Sequence, residues 1–514
     1  MASTLWRRPA HHPLRRHPRR GGRRRAAADR VPPRRWGRRP LGAGVHLAET
    51  MAPVRFSMYG LAHPHHDVLK KRSRIHQVER GWTTMFTSKI AKTLVGGLTA
   101  ALVLTGCGRT DAKQGQADKG PPIDTSRARG DITVWAMGTE GELLPQLAAR
   151  FEKANPEAKV RVTAVPWQDY GKKVETAIAS GDTPDATLVG TADLAAFATT
   201  SGLEQVPPKL VDNSAFYRGA VQSTAFEGAT YGVPWYVETR SLFYRKDMAR
   251  AAGVSAPKTW HEYRPFLKAL QRQGARWGLS LPTGAAQSWQ SVLPFMWQAG
   301  ARLVNKDGTK FTFDTPEVLK GLQFYRSFIA SKTTSPNGPM SLGEIEPKFV
   351  AGSTAALISG PWEQGLLKSA GGQSFVDDKV GVAPLPAGPK SNTSYIGGGH
   401  WAVFKDAKNR EGAWKFIRWM ARPDSQKAWY DLSGDLPAVQ SAWTEGKLAT
   451  DASMAVFRSQ LKTAQPGPNT TTWKQVTAEL DAEIEKVAKG TSSPEAAVQR
   501  LQAKASTIGT GNQR

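Results

Sequence analysis

From residue 132 onward the apolar positions switch repeatedly between a period of two and a period near 3.6. Ile132–Ala136 is β-branched and apolar and predicts a strand. Leu143, Leu144, Leu147, Ala148 and Phe151 then share one face of a helix that stops before Pro156. Val160–Val165 alternates as a half-buried strand. A helix from about Gln168 carries Tyr170, Val174, Ala177 and Ile178 at helical spacing and ends at Gly181. Asp185–Gly190 is a short apolar strand, and Ala192–Thr200 suits another helix. This βαβαβ order predicts a parallel sheet flanked by helices, with any ligand at the carboxyl ends of the strands. Further along, Trp401–Phe404 reads as a strand and Glu411–Ala421 as a helix. Trp473, Val476, Leu480, Ile484 and Val487 mark a strongly amphipathic C-terminal helix.

Before residue 131 the pattern changes. Residues 1–84 show neither period and hold 20 Lys and Arg against four acids, which is +16 of the +27 formal charge of this 514-residue chain. They read as a disordered basic arm or as translation assigned from too far upstream, with Met85 as the start. Residues 85–107 have the form of an export signal: Lys89 and Lys92, then an apolar run from Thr93 to Leu104, then Leu104-Thr105-Gly106-Cys107. The run is too short for an ordinary membrane-spanning helix. Its ending resembles the lipobox of bacterial lipoproteins, which implies lipidation of Cys107 and a body tethered outside the cytoplasm. Residues 108–130, rich in Gly, Lys, Asp and Gln, read as a flexible tether. Beyond Cys107 the net charge is +9, an ordinary surface, so the basic total does not imply nucleic acid as a partner.

The search for reactive chemistry is mostly negative. Cys107 is the only cysteine, and only His261 and His400 follow it, so neither an intrachain disulfide nor a His/Cys metal centre is expected. Phosphate-binding loops, nucleophile elbows and zinc-protease motifs do not occur. What stands out is 14 tryptophans and nine tyrosines in residues 108–514. Flat aromatic faces suit the C–H faces of sugars, with amides and charged groups taking the hydroxyls. Trp414, Trp419 and Trp429 fall in helical stretches and read as packing residues instead.

Several segments, in order, resemble the extracellular solute-binding proteins of carbohydrate ABC transporters, the family that includes maltose-binding proteins. They are Ile132–Trp135 with Gly138–Gly141, Phe151–Pro156, Ala179–Asp185, Tyr231–Asp247, Ile358–Trp362 and Gly397–Trp401. The resemblance implies an α/β fold of two lobes, each a mixed sheet flanked by helices, joined by a multi-segment hinge and closing on a ligand. Lobe one would comprise 131–238 and 397–445, and lobe two 239–396 and 446–514, with a third crossing near 440–450. It implies a sugar ligand, docking on permease subunits, a membrane link through Cys107, a monomer, no cofactor and no catalysis.

Matching positions assign the ligand-binding roles. Thr139 and Glu140 open the first helix; as alternatives to sugar contact they are an N-cap and a first-turn acid. Asp193 and Glu238 are hydroxyl acceptors, with a helix-terminal acid and an ion pair to Arg240 as their respective structural alternatives. Trp362 is the leading stacking platform, and Trp473 a second, although Trp473 also falls on the apolar stripe. Trp289 and Trp167 are further aromatics. Gly398 and Gly399 let backbone approach ligand beside His400, while Trp235, Tyr236 and Asp435 complete the set. Acids among aromatics favour a neutral polyol, a di- or oligosaccharide, over an anion. A glycerol phosphate ester or polyamine carrier is the alternative within binding proteins, and a secreted carbohydrate-active enzyme the alternative outside them.

Overall fold

The structure is a computed structural model that describes residues 120–284, 287–338 and 343–512. The export signal, Cys107 and the whole 1–84 segment lie outside the described residues. Strand β1 (Gly130–Met137) leads into helix α1 (Gly138–Ala154), β2 (Ala158–Val165), α2 (Tyr170–Ser180), β3 (Ala186–Gly190) and α3 (Leu194–Thr199). β1 pairs in parallel with β2 and β3, giving the 2-1-3 order expected of right-handed βαβ crossovers. The apolar face read for α1 is the buried one, with Leu144, Leu147, Ala148 and Phe151 turned inward. Gly181, at φ 70°, stops α2 in the left-handed conformation that glycine tolerates.

After a small hairpin of β4 (Ala225–Phe226) and β5 (Ala229–Thr230), the chain enters β6 (Val233–Thr239) and, one residue later, β7 (Ser241–Arg245). These two strands belong to different sheets. β6 joins the first sheet, whose full order is β11-β6-β10-β3-β1-β2, with β10 (Ile396–Val403) and β11 (Leu436–Pro437) antiparallel to their neighbours. β7 is the centre of a second sheet, β8-β7-β9, formed with β8 (Ala356–Ser359) and β9 (Val380–Ala383). The first sheet is therefore mixed rather than parallel throughout. Its parallel part ends where long-range strands replace βα units.

Two hydrophobic cores lie against the sheets, and the first reaches across to Phe243, Leu357 and Val380 of the second sheet. The first gathers α1, β1, β3 and β10 with Trp235, Trp401, Trp414 and Trp429. The second gathers the helices Trp260–Arg272, Trp289–Ala299, Pro316–Ala330, Trp473–Lys489 and Pro494–Ile508. The chain passes between sheets at 239–241 and again at 395–396. A third pass runs beside them at Gln465, whose backbone exchanges hydrogen bonds with Ser394 and Ile396. Leu448, Met454, Phe457 and Leu461 still pack in the first core. The helix Ala452–Leu461 packs against both sheets, with the Phe457 ring 6.0 Å from Phe243 of β7 and Gln460 Oε1 accepting from Leu385 N at 2.8 Å, so the third passage is spread over the residues leading to Gln465.

The expected flexible tether also ends earlier than residue 130. Residues 121–126 are held against the helix Arg410–Met420, and Ala128 is buried, its N–H donating to Asn155 Oδ1 at 2.9 Å. One buried carboxylate ties this region together. Asp185 accepts from Thr133 N and Oγ1, both at 2.7 Å, and from Asn409 N at 2.6 Å, joining β1, β3 and the start of the Arg410–Met420 helix. Asp185→Ala strands three part-buried donors, and equilibrium urea unfolding should show a loss of about 3 kcal/mol. An unchanged midpoint would mean that the network contributes nothing.

Candidate functional site

The carboxyl ends of β1, β2 and β3 form one wall of a cavity of about 600 Å³. Glu140 follows β1, Trp167 and Tyr170 follow β2, and Gly190 to Asp193 follow β3. Tyr236 and Glu238 of β6 and Gly398 of β10 complete this side. The opposite wall comes from the second core: Gln287, Trp289 and Gln290 at one helix start, Tyr395, and Trp473, Lys474, Thr477, Ala478 and Asp481 on the C-terminal helix. A volume of this size falls within the roughly 300–1,000 Å³ range of small-molecule sites.

Each carboxylate at the cavity is already engaged by a protein donor. Glu140 accepts from the Tyr236 hydroxyl at 2.8 Å and from Trp167 Nε1 at 3.4 Å. Asp193 accepts from the Tyr170 hydroxyl, and its burial raises its pKa above the ordinary carboxylate range. Glu238 pairs with Arg240 at 3.3 Å, and Arg240 also donates to Gln290. Asp481 accepts from the backbone N–H groups of Gln287 and Trp289, each at 2.8 Å. Burial pushes Asp481 up to about 6, against the pull of those two N–H groups.

Indole rings supply the apolar surface. Trp289 meets Tyr395 and Trp473 edge-on, with centroids 5.1 and 5.6 Å apart, and Trp167 meets Tyr170 edge-on at 5.2 Å. Trp473 is both core and cavity wall: only 1 % exposed, it stacks on Phe311, and its Nε1 has no hydrogen-bond partner among the described residues. Gly398 is required where it stands. Its φ of 127° disfavours side chains, and a Cβ would come within 2.2 Å of the Tyr236 carbonyl oxygen. Its own carbonyl accepts from Thr191 N and Oγ1.

Of the fourteen residues singled out from the sequence, the structure brings Glu140, Trp167, Asp193, Tyr236, Glu238, Trp289, Gly398 and Trp473 to one cavity. The other six lie elsewhere. Trp362, the leading platform, is half-buried with the Arg240 guanidinium 4.7 Å from its ring centroid, and it is absent from the cavity lining. Its connection to the cavity runs through Arg240 to Glu238. Trp235 is buried between Trp401 and Trp429, with ring centroids 4.8 and 4.3 Å away, because β6 directs it into the first core. His400 is buried against Ser223 Oγ at 2.9 Å, and burial drives its pKa down to about 3, so the ring is neutral. A Cβ on Gly399 would meet Leu188 and Tyr236, which places this glycine in the sheet interior. Thr139 is exposed on the first turn of α1.

Asp435 accepts from Trp429 Nε1 at 3.0 Å. Burial, reinforced by the charge of Glu140, pushes it up to about 7.

Reasoning from sequence missed Tyr170, Gln290, Tyr395, Lys474, Thr477 and Asp481. For Thr477 and Asp481 a signal existed, since they lie four and eight residues beyond Trp473 on one helix face. No comparable local pattern marks Tyr395 or Gln290.

A cavity enclosed between two α/β lobes joined by crossing strands defines a two-lobed binding protein of the periplasmic type. Residues 136–427 match the family described as bacterial extracellular solute-binding protein, and the chain belongs to that family. The sugar-binding protein MalE from the phytopathogen Xanthomonas citri has the same fold, with 31 % identity and a TM-score of 0.70, covering 74 % of this chain and 97 % of that one. A maltooligosaccharide ABC transporter solute-binding lipoprotein of Streptococcus pneumoniae is 27 % identical over 401 residues, 74 % of this chain and 88 % of the relative. A galactooligosaccharide-binding protein of Bacillus subtilis is 24 % identical over 409 residues, 77 % and 92 % of the two chains. Members of the family are binding proteins. Among the described residues, no helix is long and apolar enough to cross a membrane.

The raised pKa of Asp435 has a definite sign. Its native-state value of about 7 lies above the ordinary 3.8, so the native state holds the proton more tightly than the unfolded chain. That contribution to stability is complete below about pH 4 and is lost as pH rises through 7. Between pH 5 and 8 the wild type should therefore lose more stability than Asp435→Asn, as measured by chemical denaturation at each pH. Parallel profiles for the two proteins would contradict the assignment.

Proposed function

We propose that this chain is the carbohydrate-capturing component of an ABC importer, held by lipid on Cys107 at the outer face of the bacterial membrane. It takes a di- or oligosaccharide between two lobes and delivers it to the permease subunits without making or breaking a bond in it. Lobe one corresponds to 131–238 and 397–445, and lobe two to 239–396 and 446–514. The observation that carries this reading is the composition of the cavity. Indoles from both sides (Trp167, Trp289 and Trp473) face a space edged by Glu140, Asp193 and Glu238. Those carboxylates are oriented by protein hydroxyl, indole and guanidinium donors, which leaves remaining lone pairs as fixed acceptors for sugar hydroxyls.

Closure follows from the site being divided. A ligand that touches both walls binds the closed arrangement better than the open one, and this difference in affinity shifts the population. Both walls come from one chain, so a monomer is sufficient. The cavity is neither arginine-lined, as a phosphate ester would require, nor purely acidic, as a polyamine would favour, since Lys474 stands beside Asp193. The relatives named for maltooligosaccharide and galactooligosaccharide support the same ligand class.

Thermal-shift measurement against neutral oligosaccharides, glycerol phosphate esters and polyamines tests the ligand class, because a ligand selective for the native state raises the melting point. The expected result is a shift with an oligosaccharide alone. Trp473→Ala should then weaken that ligand by tenfold or more, and chromatography should recover it unaltered. Stabilisation only by a polyamine or phosphate ester, or recovery of a cleaved sugar, would overturn the proposal. Cys107→Ser should move the protein from the membrane fraction to the medium.

A further inference from the structure

Residues 121–126 precede the first strand and belong neither to a sheet nor to a helix, yet three basic side chains of one helix engage them. Arg418 donates to the carbonyls of Ile123 at 3.1 Å and Asp124 at 2.6 Å. Lys415 pairs with the Asp124 carboxylate and donates to Ser126 Oγ, each at 2.7 Å. Arg410 donates to the Pro121 carbonyl at 3.2 Å. These cations are positioned from below: Glu204 accepts from Arg410 Nε at 2.7 Å and from Trp414 Nε1 at 3.0 Å, and Glu411 pairs with Lys415. The Lys415 side chain is 6 % exposed, so its charge is directed at this segment rather than at solvent.

We infer that the basic face of the Arg410–Met420 helix is an interaction surface whose occupant is the chain's own segment 121–126, forming a strap that sets where the N-terminal region leaves the body. The surface and its occupant are complementary in charge, and Ile123 adds a partly buried apolar anchor. The exit point lies at the amino end of β1. The cavity lies at the other end, about 26 Å away for eight residues at roughly 3.3 Å each. A docked strap thus sits at the end of the sheet opposite the cavity.

The strap is built to be reversible. The Asp124 side chain is 64 % exposed and Ser126 lies at the surface, and pairs of this kind contribute little individually and weaken with salt. Ala128, by contrast, is buried and remains fixed. Release of 120–127 frees eight residues, which lengthens the reach of a tethered protein by about 26 Å at roughly 3.3 Å per residue. The strap is therefore a two-length tether, short when docked and long when released. This inference rests on contacts remote from the cavity, so it stands or falls separately from the proposed ligand.

Cleavage by proteinase K within residues 122–126, located by mass spectrometry on the full chain, tests it. Cleavage requires the segment to lift, and its rate follows the population of the lifted state. Asp124→Ala and Arg418→Glu should each be cut about tenfold faster than wild type at low salt, with ligand affinity unchanged. Wild type in 1 M NaCl should approach the variants. Asp124→Ala changes only an exposed residue of the strap, so its effect cannot come from unfolding of the body. Equal cleavage rates in wild type and Asp124→Ala, or a wild-type rate insensitive to salt, would overturn the strap.

Discussion

Three passes of backbone lie side by side between the two sheets, and the cavity depends on their being locked together. Thr239 Oγ1 donates to the Tyr395 carbonyl at 2.8 Å, Ser394 Oγ donates to the Arg240 carbonyl at 2.8 Å, and Gln465 exchanges backbone bonds with Ser394 and Ile396. Thr239, Ser394 and Tyr395 are all almost fully buried. The hydrogen bonds here are shielded from water, where a broken one is most costly. Because β6 and β7 are separated only by Arg240, Glu238 and Arg240 sit two residues apart yet serve different sheets. Glu238 closes the cavity floor, while Arg240 reaches back to it and lies between the rings of Trp362 and Tyr395. A short connection of this kind transmits any rotation between the sheets directly to the site.

Orientation of the acidic groups follows from the same crowding. Removing a carboxylate from water raises its pKa, as Asp193, Asp435 and Asp481 show, and each is partly compensated by a donor that belongs to the protein. Those donors also hold the oxygens in place before any ligand arrives, which lowers the ordering cost of binding. Gly398 contributes differently. Its left-handed backbone turns the β10 carbonyl toward Thr191, so the strand can pass under the cavity without a side chain filling it.

The two ends of the parallel strands carry different work. At the carboxyl ends, loops open into helix starts and supply the polar groups of the cavity. At the amino ends, Asp185, Asn409 and the basic helix face knit β1 and β3 to the segment that enters the fold. Binding chemistry and attachment are thereby separated by the length of a strand.

Local pattern was enough to read the start of the fold and the helix that begins at Trp473. The βαβαβ start, the burial of Leu144, Leu147 and Phe151, and the amphipathic face beginning at Trp473 all follow from side-chain periodicity in the sequence. The loops after β1, β2 and β3 were legible as site positions because parallel strands place their carboxyl ends together, and so Glu140, Trp167 and Asp193 were within reach. Tertiary structure alone decided where an aromatic or acid points once a strand is flanked on both faces. Trp235 and Glu238 sit three residues apart on β6, and the pleat sends one into a cluster of indoles and the other to the cavity. The placement of Trp362 on Arg240, the pairing of Gln465 with Ser394 and Ile396 and the docking of 121–126 depend on partners between about 70 and 300 residues away in sequence. No window along the chain contains both members of such a pair, so only the folded chain could reveal them.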